Sequence, residues 1–79
     1  MTARVRLAHT PRLDAWRESL RTATDGPGVK AELARFMAAE RDQPVHAWQV
    51  RINRILKSEV TPNAEDVLAI TGWLASRTA

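Results

Sequence analysis

Apolar residues recur three and four positions apart along most of the chain, and alternation with period two is scarce, so the pattern predicts helices and no sheet. The first helix opens at Thr10-Pro11, a capping residue followed by proline in the first turn. It carries Leu13, Trp16 and Leu20 on one face until about Thr24. Asp25-Gly26-Pro27-Gly28 then breaks it. A second helix runs from about Val29 through Ala39. Val29, Leu33, Phe36 and Met37 form its stripe, with the strong helix formers Ala31, Ala34, Ala38 and Ala39 between them. Its end stays open, since Glu40-Arg41-Asp42 can continue it until Pro44 disfavours helix at the residue before it.

The third helix ends near Lys57. Stepping about 100° per residue from Ile52 brings Val45, Trp48, Ile55 and Leu56 within about 60° of it, which makes one narrow apolar stripe. The opposite face collects His46, Val50, Asn53, Arg54 and Lys57, with Arg51 on its flank, and contains no acid. After Ser58-Glu59-Val60-Thr61-Pro62, Asn63 is placed to cap a fourth helix. Glu65 and Asp66 then lie at its positive end, as first-turn or exposed carboxylates. That helix is expected to bury Val67, Ile70 and Leu74, with Leu68 and Trp73 widening the stripe. Residues 1 to 9 alternate weakly and are compatible with an arm, a strand or an early start to the first helix. The expected architecture is all-α, a four- to five-helix bundle in one domain over residues 1–79.

Composition narrows the function classes. A chain of 79 residues has no room for a second core, and with no cysteine it has neither disulfide staples nor thiolate metal sites. No apolar run approaches the roughly 18 residues of a membrane span, and no signal-peptide core opens the chain, so a cytoplasmic protein is expected. The net charge of +3 permits a nucleic-acid partner without demanding one, because ten of the twelve basic residues are Arg and inflate the isoelectric point. The distribution says more than the total. Residues 41–57 carry four basic side chains against one acid, while the rest of the chain is balanced.

Catalytic chemistry finds no foothold. His9 and His46 lie far apart without a Cys or paired carboxylates at ligand spacing, so no metal site is expected. Ser19, Ser58 and Ser76 have no convergent His and acid, and Gly26 and Gly28 flank a proline without a phosphate-cradling pattern. Neither an enzyme nor a cofactor nor a small-molecule substrate is predicted.

Leu33-Ala34, then Ile52-Asn53-Arg54-Ile55-Leu56, then Thr61-Pro62-Asn63-Ala64-Glu65, then Ile70 and Trp73-Leu74, form an ordered set. This set resembles the Cro and phage-repressor family of helix-turn-helix domains over about residues 28–76. The resemblance implies a lambda-repressor-like fold, sequence-specific binding of double-stranded DNA and a role as a small transcriptional regulator. It implies that the third helix enters the major groove while the second crosses the backbone. On that match Ile52 is the buried anchor and Gln49 a base reader. Arg51, Asn53, Arg54 and Lys57 share base and phosphate contacts, Val50 meets a thymine methyl, and Lys30 meets a phosphate. A homodimer on two half-sites is expected.

One departure from the family pattern is marked. The pattern leaves about ten residues between the Leu-Ala pair and the anchor, whereas residues 35–51 separate them here. The second helix can lengthen through Arg41, the turn can grow, or the third helix can start at Pro44. The periodicity of Val45 and Trp48 favours the last, with a turn around residues 39–43. The alternative function is a helix-turn-helix scaffold used for protein contact, of antitoxin or anti-repressor type. Trp48 is either core or a partner-facing ring, whereas Trp16 and Trp73 are read as core. RNA is disfavoured by the shortage of Phe and Tyr for base stacking.

Overall fold

The computed structural model describes residues 11–78, which form four α-helices and no strand: α1 Pro11–Ala23, α2 Val29–Arg41, α3 Val45–Leu56 and α4 Ala64–Thr78. The cap expected at Thr10 and the readings of residues 1–9, His9 included, lie outside the described residues. Leu20 of α1, Leu33 and Met37 of α2, Trp48, Ile52 and Leu56 of α3 and Ile70 of α4 meet in one core. Trp16, Phe36 and Trp73 pack half-buried around it. The helix faces predicted from spacing are therefore largely the faces that pack. Val67 and Leu74 are only half-buried, and two positions differ more. Val45 is 38% exposed because it lies in the first turn of α3, beside the exposed Asp42, Gln43 and Pro44. Leu68 is 69% exposed and points away from the stripe that Ile70 buries.

Helix ends are set by local chemistry. α1 stops where Thr24 turns its hydroxyl onto the Leu20 carbonyl at 2.7 Å, a bond that competes with continued helix. Gly28 precedes α2 with φ 78°, and a Cβ there would meet nothing within 4 Å. Gly28→Ala should therefore isolate the cost of a left-handed backbone on a non-glycine residue. We expect a loss of about 1 kcal/mol, or about 5 °C in melting temperature by circular dichroism.

α2 does not end at Ala39. It continues to Arg41, and Asp42 then takes the left-handed conformation at φ 54° while the Gln43 N–H returns to the Ala38 carbonyl at 2.9 Å. With α3 beginning at Val45, the connection is Asp42-Gln43-Pro44 alone. The long interval between Ala34 and Ile52 is thus helical on both sides of a three-residue turn: the third helix does start after Pro44 as expected, but the turn is shorter than the five residues expected around 39–43 because α2 also lengthens through Arg41. The reason is that Asp tolerates the left-handed turn, so α2 needs no glycine to stop, and Pro44 is compatible with the entry to α3. α3 closes in the same manner. Ser58, at φ 61°, lets the Glu59 N–H reach the Arg54 carbonyl at 2.9 Å and its own N–H reach Ile55 at 3.1 Å. Asn63 caps α4 as predicted, its Oδ1 accepting from the Asp66 N–H at 2.8 Å.

Two arginines fasten α1 to the end of α3. Arg17, 6% exposed, donates from Nε to the Ile55 carbonyl and from Nη2 to the Val60 carbonyl, both at 3.0 Å, and from Nη1 to Asp14 at 3.2 Å. One turn later Arg21 donates to the Leu56 carbonyl and to Glu18. A helix C-terminus presents unpaired carbonyls and partial negative charge, which two cations four residues apart satisfy together.

Candidate nucleic-acid interface

The site builds outward from Ile52. Its burial at 1% exposure, with Trp48 at 3%, fixes which side of α3 is turned inward and hence which side is offered to solvent. Trp48 is core rather than a partner-facing ring, and its indole N–H is satisfied by Gln43 Oε1 at 2.8 Å, tying α3 to the turn before it. Gln49, Val50, Arg51, Asn53, Arg54 and Lys57 are all exposed, as is Lys30 in the first turn of α2.

The structure divides these residues between two clefts. Lys30, Gln49 and Asn53 line one of about 460 Å³, together with Arg21 from the last turn of α1 and Gly26 and Gly28 from the α1–α2 connection. Val50, Arg51 and Arg54 line another of about 440 Å³, with Pro44, Trp48 and Val60. The first combines amides and cations with the N-terminal end of α2, and the second is an apolar floor with arginines at its margin. Lys57 belongs to neither and stands at the C-terminal end of α3.

Charge along α3 is less uniform than the sequence implies. Arg51 Nη2 lies 3.3 Å from Asp66 Oδ2, and the other carboxylate oxygen of Asp66 is held by Arg41. The Arg51 guanidinium also rests 5.3 Å from the centroid of the Trp48 ring. Asp66, read from the sequence as a helix-dipole carboxylate, does lie in the first turn of α4, but its side chain is only 3% exposed. Arg51 therefore leaves the acid-free set. Among the described residues no carboxylate pairs with Lys30, Arg54 or Lys57, so of the residues assigned to the interface these are the cations still open to a ligand.

Sequence reasoning missed Arg17, Arg41 and Asp66. Arg17 carried a signal, since it stands four residues after Leu13 and three before Leu20, on the apolar side of α1, where a charge needs buried partners. Asp66 carried none, because its partners are 25 and 15 residues away and no helical spacing connects them. Among the described residues no group of His, Cys, Asp or Glu could hold a metal ion, and no helix is long and apolar enough to cross a membrane. No protein-family model matches the chain, and no curated protein or solved structure matches it.

Proposed function

We propose that this chain is a sequence-specific double-stranded DNA-binding domain in which α2 and α3 act as a helix-turn-helix unit and α3 reads the major groove. The observation that carries the reading is the solvent face of α3. Gln49, Val50, Asn53, Arg54 and Lys57 are exposed together on a helix whose other side is locked into the core. Amide and guanidinium groups make paired hydrogen bonds to base edges, an exposed valine suits a thymine methyl, and an α-helix fits the groove. The three-residue connection between α2 and α3 has the length that helix-turn-helix units use, with Asp42 in the left-handed position often given to glycine. Lys30, near the N-terminus of α2, is suited to a phosphate.

The protein acts as a small transcriptional regulator and as a homodimer on half-sites roughly 34 Å apart, one turn of DNA. The alternative reading is a scaffold for protein contact.

Selection from a random duplex library, followed by binding titrations between about 50 and 200 mM salt, tests the proposal. Affinity should fall steeply with salt. Lys30→Ala should weaken all sequences alike, and Asn53→Ala should relax the preference at one position. Absence of binding to any duplex at low salt overturns the reading, and a salt-insensitive protein complex would favour the scaffold.

A further inference from the structure

We infer that Arg51 is a positioning residue, not a ligand contact: with Arg41 and Asp66 it forms a three-helix clamp that sets the pose of α3 against the start of α4. The inference rests on the DNA-binding reading for its functional arm and on the clamp itself for its structural arm.

The geometry is specific. Asp66 is the third residue of α4, and its backbone N–H is already taken by the Asn63 cap. Its carboxylate is withdrawn from water and must find compensation within the protein. Arg41, in the last turn of α2, holds Oδ1, and Arg51, in the middle of α3, holds Oδ2. One carboxylate thus joins the helix before the turn, the helix after it and the helix that follows both. Arg41 reaches only the first oxygen, and its Nε is buried without a partner, so the second oxygen is left to Arg51. Arg51 is further held over Trp48, the residue that anchors the first half of α3 in the core. Turning Arg51 outward to a phosphate would surrender both interactions and leave one oxygen of a buried carboxylate without its cation, whereas Arg54 and Lys57 have no such tie.

Two roles for Arg51 therefore separate cleanly. A phosphate contact contributes about 0.9 to the slope of log affinity against log salt, and a positioning residue contributes nothing to it. We expect Arg51→Gln to weaken DNA binding several-fold at every salt concentration with an unchanged slope, while Lys57→Ala lowers the slope by about one contact. Arg51→Lys, which keeps the charge but not the planar fork, should recover part of the affinity. Thermal unfolding supplies the arm that needs no DNA. Arg51→Gln and Asp66→Asn should each lower the melting temperature, and the double variant should lose less than their sum, because the second change finds its partner gone. If Asp66→Asn fails to fold, Arg51→Gln measured at increasing salt still reports the pair. A slope reduced by Arg51→Gln as by Lys57→Ala, or additive losses in the double variant, overturns the clamp. A wild-type protein that binds no duplex overturns the DNA reading instead and leaves the unfolding cycle to decide the clamp.

Discussion

Replacing Arg17 by methionine should lower the stability of the domain by about 3 kcal/mol and its melting temperature by roughly 15 °C. Methionine keeps most of the apolar stem, so the loss reports the guanidinium rather than the packing. Removing that group strips donors from the Ile55 and Val60 carbonyls and a partner from Asp14 in a single step. A domain of this length has a total stability of only about 4–12 kcal/mol, so the variant gives up between about a quarter and three quarters of it. Arg17→Lys should recover only part of the loss, since one ammonium cannot span two carbonyls as a planar fork does. Arg12→Met, at an exposed position of the same helix, should stay within about 0.5 kcal/mol of wild type. Denaturant titration of the three variants decides the matter; a loss below about 1 kcal/mol for Arg17→Met would mean that water serves these carbonyls equally well.

The second large effect concerns binding. Arg54→Ala should reduce affinity for the selected duplex by about 10- to 100-fold, the range of one paired arginine–guanine contact, and relax selectivity at a single base pair. Stability should hardly change, because the side chain is exposed and forms no ion pair among the described residues. That combination separates a reading residue from a structural one. A uniform loss across all sequences would make Arg54 a phosphate contact, and no loss would remove it from the interface.

How much was legible depends on the range of the interaction involved. The faces of α2 and α3 follow from spacing alone, since burying Leu33, Met37, Trp48, Ile52 and Ile55 leaves only one way to turn each helix. The cap at Asn63 was legible for the same reason, its bond spanning three residues. The end of α2 was not, because a left-handed Asp42 costs little and carries no signature as strong as glycine or proline. The exposed site residues were legible as a set, yet their division between two clefts depends on where the α1–α2 connection and the segment around Val60 lie.

The charge on α3 shows where sequence stops. Residues 41–57 do hold an excess of basic side chains, and the sequence by itself determined that excess, the all-helical pattern and the inward side of each helix, because these depend on residues within a few turns of one another. Only the tertiary structure decided which of those charges are already spent. It carried Asp66 from the fourth helix to Arg41 and Arg51, and it sent Arg17 and Arg21 to the end of α3. A buried charge must be paired wherever its partner stands in the chain, and only the packing of helices against one another determines where that partner is.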